Sequence, residues 1–415
     1  MSYIIYAIPF FFLLIALELL AEYVRKTDYY RTNDAINSLT AGVLSRMFGI
    51  LKALVPFTLY IMLYDNYALF SLGDSIWLGL LAFVLYDFCY YWNHRFGHEM
   101  SILWAAHVVH HSSEEYNLTT ALRQTSGSFL SWIFYLPLAF LGVDPLLLLS
   151  VGSLNLIYQF WVHTRHIGRL GWLEWVFVTP SNHRAHHAQN QIYIDRNYGG
   201  VFIIWDRLFG SFQDELDAEP PIYGIRKALH SWNPIYANTH VYQQLIKDSW
   251  RTKAWSDKFK VWFGKTGWRP ADMERDYPLG RVDLTRFEKF DIPLSTLRKV
   301  YGLIQHGLTT FIGLVFLLNI TQLAVLQQIL VIAWVVYASV AVGEILSLKL
   351  LGWWLEIVKY LFVFAAVMTQ PVPMWLNLTL VAFALVSAMM WPSLRKEHVR
   401  HAKPEKNEEN IAITS

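Results

Sequence analysis

Apolar residues run along this chain in long stretches separated by polar ones. Residues 3–22 (YIIYAIPFFFLLIALELLAE) make a first run with Glu18 and Glu22 near its end and no Lys or Arg before Arg25. That is the length of about 20 residues that crosses a bilayer core. It has neither a basic start nor a small-residue cleavage site, so it reads as a retained helix rather than a leader. Further apolar runs lie near 43–64, 76–92 and 129–163. Gly142, Val143, Asp144 and Pro145 break the last into arms of 13 and 18 residues. Each arm is short for a full span, which predicts a helical hairpin entering and leaving on one side. A second apolar block, 300–391, divides at Thr321, at Lys349 and at Gln370, Pro371, Val372 and Pro373 into about four helices.

The pattern predicts an all-α, polytopic integral membrane protein. Its segments are N-terminal membrane helices (1–75), a core (76–215), a cytosolic or interfacial segment (216–299), C-terminal membrane helices (300–391) and a polar tail (392–415) that reads as disordered. Composition agrees: 54% of the 415 residues are hydrophobic, 16% are charged, and the mean hydropathy is +0.29, which excludes an ordinary soluble globule. The single cysteine, Cys89, excludes an intramolecular disulfide and a thiolate cluster, so a metal would have to use His, Asp or Glu. The net charge of +2, with no basic stripe, argues against nucleic acid as a partner.

Charge sets the expected orientation. Residues 164–299 hold 20 of the 34 Lys and Arg; Arg25, Lys26 and Arg31 follow the first run, 65–75 has no basic residue, and Arg95 and Arg123 follow the third run. The positive-inside rule then places the N-terminus outside, and 93–128, 164–299 and the tail from Arg395 on the cytoplasmic side. Residues 237–263 mix Lys and Arg with Trp250, Trp255, Trp262 and Phe263, a pattern shared by a helix on the membrane surface and a plain packed helix.

Ten of the fifteen histidines fall between 94 and 187. They read His94-x-x-x-His98, His107-x-x-His110-His111, His163, His166 and His183-x-x-His186-His187. Helical residues three and four apart share a face, so each cluster can aim two or three imidazoles at one point. An isolated histidine is ordinarily a surface or satisfied core residue, and His230, His240, His398 and His401 are read that way, with His306 as a packing group in a span. Eight imidazoles on shared faces would repel on protonation unless a cation held them neutral. Eight or nine also exceed the three or four of one zinc site, which implies two metal ions. Imidazole suits Fe, Zn, Cu and Ni alike. The clusters fall at the cytoplasmic mouth of the bundle, beside acyl chains, whereas a transporter keeps its ligands near mid-membrane. That placement points to chemistry on a lipid.

Candidates for orienting the imidazoles are Asp87, Glu114, Glu115, Asn182, Asp195 and Asn197. Asp87 stands alone in an apolar run, with Arg95 as an alternative partner. Gly199 and Gly200 read as a close backbone approach, and Glu356 with Lys359 as an ion pair.

Residues 80–212 resemble the fatty acid hydroxylase and sterol desaturase superfamily of membrane di-metal oxygenases, whose signature is HxxxH, HxxHH and HxxHH. The resemblance is carried by 107–125 (HVVHHSSEEYNLTTALRQT), 158–164 (YQFWVHT) and 173–212 (LEWVFVTPSNHRAHHAQNQIYIDRNYGGVFIIWDRLFGSF), and it points to the ether-cleaving members. It implies that His94, His98, His107, His110, His111, His183, His186 and His187 ligate a di-iron (Fe) centre, with His163 as the ninth ligand. Several relatives have a further histidine where this chain has Gln159, which leaves Gln159 as weak ligand, outer donor or neither; His166 is not clearly part of the pattern.

Oxidising an unactivated C–H bond needs a redox metal, and zinc has no such chemistry. No flavin or haem motif is evident, so the electrons must come from an external reductant. The resemblance implies tetrahydrobiopterin, O2-dependent hydroxylation of the ether-linked carbon of an alkylglycerol lipid, and collapse to a fatty aldehyde and a glycerol. The alternatives are a sterol or fatty acyl hydroxylase or desaturase with a protein electron donor, or a non-catalytic zinc-binding membrane protein. The topology fits an endoplasmic reticulum or a bacterial inner membrane, and composition leaves the oligomeric state open.

Overall fold

A computed structural model describes residues 3–71, 73, 75–280, 283–369, 381, 384–385 and 387–392. The expected break at 370–373, the polar tail, His398 and His401 lie outside them. Among the described residues the fold is helical, with isolated bridges at Met100 and Lys265, Phe177 and Phe202, and Ala188 and Tyr223. The chain divides into two compact units, Met1–His230 with Ile235–Phe290 and Ser231–Pro234 with Asp291–Ser415.

The first unit opens with α1 (Ile4–Arg25), α2 (Thr32–Tyr67), α3 (Ile76–Glu99) and α4 (Ser101–His111). The short α5 (Leu118–Ala121) and α6 (Leu136–Phe140) precede α7 (Pro145–Trp161), and α8 (Pro180–His186) and α9 (Ile204–Leu208) follow. Helices α10 (Pro234–Arg251), α11 (Trp255–Phe263) and α12 (Ala271–Asp276) complete the run. The second unit has α13 (Thr296–Asn319), α14 (Val325–Leu346) and α15 (Leu350–Thr369).

Among the described residues three helices are long and apolar enough to cross a membrane: α1 from Tyr6, α13 with its continuation to Gln322, and α14. A fourth is added if the two arms of α2, Thr32–Ile50 and Val55–Tyr67, which meet at 52°, count as one. Pro56 lies just past that bend, where it removes a helical hydrogen bond. The chain is a multi-pass membrane protein.

Helix α2 begins earlier than its apolar run because its first turns are polar yet satisfied inside. Ser113 Oγ donates to Asp34 at 2.5 Å, and the Arg123 guanidinium donates to Ser38 Oγ at 3.2 Å. Hydropathy cannot see a helix whose polar face is buried against polar partners. The 129–163 run turns where its composition breaks. Gly142 takes φ 81°, Asp144 caps α7 through Leu146 and Leu147 N–H, and Pro145 occupies the first turn. A Cβ on Gly142 would lie 2.0 Å from the Phe70 carbonyl oxygen, so no other residue fits there.

Glu18 is buried near the end of α1, accepting from Tyr30, Thr164 and the Leu118 N–H. This carboxylate ties the first helix to the segment beside His163. In the second unit Lys359 donates to Glu356 at 2.7 Å and Tyr301 to the same carboxylate at 2.6 Å. Gln305 joins them through Lys359 and Tyr360, a closed polar cluster that needs no outside ligand.

Candidate metal centre

Helices α3 and α4 are nearly continuous, but Met100 between them is extended (φ −119°, ψ 126°), so the chain turns between His98 and His107. Helix α8 starts on a capping box: Thr179 accepts from the Asn182 N–H, and the Asn182 side chain accepts from the Thr179 N–H, with Pro180 in the first turn. That seven-residue helix, with its cap residue His187, carries His183, His186 and His187.

The nine imidazoles assemble into two groups. His94, His98, His107, His111 and His186 form one, and His110, His163, His183 and His187 the other; within each group the ligand-competent atoms lie within 4.8 Å of one another. Eight of these side chains are buried and His107 is half-buried. His166 stays outside both groups and stacks at a tilt on Tyr29, with ring centroids 5.0 Å apart.

The partition follows from helix geometry. Residues four apart differ by about 40° around an α-helix, whereas residues three apart differ by about 60° the other way. In each HxxHH motif the outer pair therefore goes together: His107 with His111, and His183 with His187. The middle histidine, His110 or His186, is delivered to the opposite group. Each motif thus serves both poles, crosswise.

Main-chain carbonyls orient four of the rings. His94 Nδ1 lies 2.8 Å from Tyr198 O, His110 Nδ1 3.0 Å from Arg123 O, His163 Nδ1 2.8 Å from Gln159 O, and His186 Nδ1 2.8 Å from Arg196 O. A carbonyl can only accept, so in these four Nδ1 carries the proton and Nε2 presents a lone pair. Yet the Nε2 atoms of His110 and His163, both left as lone pairs by that rule, face one another at 3.4 Å. Further Nε2 atoms meet at 3.1 Å in the pairs His94–His107, His107–His111 and His163–His183. The Nε2 atoms of His98, His186 and His187 are buried without a hydrogen-bond partner. Converging lone pairs are repulsive in a protein interior unless a cation lies between them. A separation near 3 Å is that of neighbouring nitrogens each about 2.1 Å from a common ion. The donor sets therefore fit two cations.

Burial lowers the proton affinity of these rings, His110 to about 4 and His186 to about 3. Burial first and neighbouring imidazoles next hold His111, His183 and His187 well below the ordinary value. The unfolded chain, with histidines near pKa 6.5, binds more protons in this window, so stability is complete above about pH 6.5 and falls as pH drops toward these folded-state values. Metal-stripped protein in detergent should accordingly melt at a lower temperature at pH 5 than at pH 7. An equal or higher midpoint at pH 5 would contradict the neutral, buried state of these rings.

The carboxylates and amides expected to orient the imidazoles act at one remove or elsewhere. Asp87, fully buried, accepts from Val201 N–H (2.8 Å), Phe202 N–H (3.0 Å), Trp205 Nε1 (3.0 Å) and Asn155 Nδ2 (2.6 Å). Arg95 pairs instead with Glu99 at 3.0 Å. Asn155 accepts from Gln159 Nε2 at 2.6 Å, and Gln159 Oε1 accepts from Tyr90 at 2.7 Å. Both ends of the Gln159 side chain are thereby used, and its backbone carbonyl is what His163 meets.

Asp87 therefore braces the segment that presents the Tyr198 carbonyl to His94 and, through Asn155 and Gln159, the helix end that holds His163. Gly199 and Gly200 are the close approach this requires, since a Cβ on Gly200 would lie 2.8 Å from Asp87 Oδ1. Asn182 serves the start of α8, and Asn197, at φ 56°, donates to the Asn182 and Gln213 carbonyls. Glu115 pairs with Arg31 (2.6 Å) and Lys289 (2.7 Å), and Glu114 accepts from the Phe290 N–H. Asp195 takes φ 58° and bonds none of the rings through its side chain.

Three residues beside the centre had no place in the sequence reading: Tyr90, Asn155 and Tyr116. Tyr116 stacks on His163, centroids 5.6 Å apart at 23°, and Tyr223 stacks behind it at 4.9 Å and 16°. Asn155 was findable, being a polar residue four positions before Gln159 in an apolar arm.

Helices that pool buried, neutral imidazoles around two points in a membrane protein define a class, and comparison with known proteins agrees. The chain belongs to the fatty acid hydroxylase family, whose profile matches residues 79–211. Among its relatives are the alkylglycerol monooxygenases of Homo sapiens, 41% identical over 74% of this chain and 69% of the relative, and of Xenopus tropicalis, 39% identical over 73% and 68%. That of Danio rerio is 36% identical over 98% of this chain and 92% of the relative. No solved structure matches the chain. These relationships make it a lipid monooxygenase, an oxidoreductase.

Proposed function

We propose that this chain is an O2-dependent di-iron monooxygenase that hydroxylates the ether-linked carbon of alkylglycerol lipids, with reduced tetrahydrobiopterin as electron donor. The observation that supports it is the two-pole, all-imidazole donor set on a chain related over nearly its whole length to an alkylglycerol monooxygenase. In this reading His94, His98, His107, His111 and His186 hold one iron, and His110, His163, His183 and His187 the other. Iron supplies the redox chemistry for C–H oxidation that zinc lacks.

The protein's own part is to orient and to exclude water. The carbonyls of Tyr198, Arg123, Gln159 and Arg196 hold four rings with Nε2 forward, and the buried positions keep bulk water away. One oxygen atom enters the carbon beside the ether oxygen; the other leaves as water, with two electrons from the reductant and two protons. The product is a hemiacetal, which breaks its carbon–oxygen bond to release a fatty aldehyde and a glycerol derivative. Basic residues near the first run and in 164–299 favour a cytosolic centre, in an endoplasmic reticulum or a bacterial inner membrane.

The test is metal analysis of anaerobically purified protein, then oxygen uptake and aldehyde release with an alkylglycerol and reduced tetrahydrobiopterin as sole reductant. Two irons per chain and pterin-dependent aldehyde are expected. Iron without pterin-driven aldehyde would replace this reading with a sterol or acyl substrate and a protein electron donor. Tightly held zinc, with no oxygen uptake after iron loading, would overturn the redox assignment altogether.

A further inference from the structure

Helices α10 and α11 have two apolar sides. The inner side packs Leu245 and Val261 against Ala105 of α4, with Val241, Tyr242, Trp262 and Trp268 around them. The end of α11 is hydrogen-bonded to the turn between α3 and α4: Ser101 N–H donates to Gly264 O and Thr266 N–H to Glu99 O, each at 3.1 Å. The hairpin is thus fixed to the junction between His98 and His107.

The outer side is just as apolar and has nothing of unit one upon it. Ile246 and Trp250 stand four apart on α10, and Trp255, Phe259 and Phe263 repeat at the same spacing on α11. Trp250 is 85% exposed, Trp255 75%, Phe259 64% and Phe263 59%. The exposed charges among them, Lys247, Arg251, Lys253 and Lys260, are all basic, because Asp248 is turned inward onto Arg269 at 2.8 Å and Asp257 is half-buried. Arg251 also reaches the Tyr277 ring at 4.5 Å and Lys260 the Trp268 ring at 4.2 Å, while Lys258 closes α10 through the carbonyls of Ser249 and Trp250.

We propose that this outer face docks into the headgroup layer of an anionic membrane, the bilayer that the chain itself spans. Tryptophan and phenylalanine interleaved with lysine and arginine are the composition of a helix lying in the interface plane. Lysine is depleted at the cores of protein interfaces, so the same residues fit a protein partner poorly. The exposed charges of α10 and α11 themselves are all basic and match an anionic lipid surface, which attracts each Lys and Arg within a Debye length. The next exposed acids along the chain, Glu274 and Asp276, stand on α12, where Asp276 is paired with Arg275 at 2.7 Å. Docked, the hairpin holds α4, with His107, His110 and His111, at a fixed depth beside the lipid boundary.

The full-length protein in lipid nanodiscs tests this. Phe259→Cys, and separately Trp255→Cys, carries an environment-sensitive fluorophore; the native Cys89 is buried, and labelled wild type gives the background. In discs of phosphatidylcholine with phosphatidylglycerol, shallow spin-labelled lipid should quench the fluorophore about twofold or more. The triple variant K247E/K253E/K260E should lose that quenching while keeping wild-type metal content. A fluorophore that stays unquenched in anionic discs at both positions overturns the proposal. So does equal quenching in pure phosphatidylcholine, or burial of the fluorophore that depends on a second chain per disc.

Discussion

His110→Ala and His186→Ala are each expected to abolish turnover, by more than about 100-fold, since even losing an outer partner of a metal ligand costs 10–100-fold. The two belong to opposite poles, so each variant should leave one donor set chemically intact and retain at most one ion. Insertion should be unchanged, because neither residue lies in a helix long and apolar enough to span. His240→Ala is the control: that ring bonds only carbonyls of its own helix, at Tyr236 and Ala237. Activity on membranes, metal per chain and protein in the membrane fraction decide the matter. Full turnover in either cluster variant would remove the two-pole centre as the seat of catalysis.

Asp87→Ala should rank next. Four donors converge on that carboxylate, and its loss leaves Val201 N–H, Phe202 N–H and Trp205 Nε1 facing a void. Buried donors left unsatisfied cost about 1–3 kcal/mol each, so a loss of about 3 kcal/mol or more is expected, a large share of a typical stability of about 5–15 kcal/mol. If Asp87 did no more than stabilise, metal affinity at both poles would survive in whatever protein remained folded. As a brace it reaches His94 through the 198–206 segment and His163 through Asn155 and Gln159, so affinity should fall at both. Asp87→Asn keeps one acceptor oxygen and the side-chain shape, and should fall between. Unaltered metal affinity in folded Asp87→Ala would show that the brace does not reach the imidazoles.

The histidines were legible because helical spacing is written in residue identity: His107 and His111, like His183 and His187, stand four apart and fall together. The groups that orient the rings were not legible, because they are main-chain oxygens, present at every residue and marked by none. Apart from Asp195, the carboxylates and amides chosen from chemistry alone brace the backbone, cap α8 or pair with Arg31 and Lys289. Membrane-helix ends followed hydropathy where the helix faces lipid, as in α1, and escaped it at the start of α2, where Asn33, Asp34 and Ser38 are buried among polar partners.

The crosswise sharing of the two HxxHH motifs also bears on how the centre fills. An ion at either pole must gather ligands from both α4 and the α8 turn, which fixes the relative position of the two segments. The other pole then finds its donors already assembled, with the ordering entropy spent on the first arrival. The two positions are therefore expected to fill together, so that metal titration of stripped protein should show little of the half-filled species.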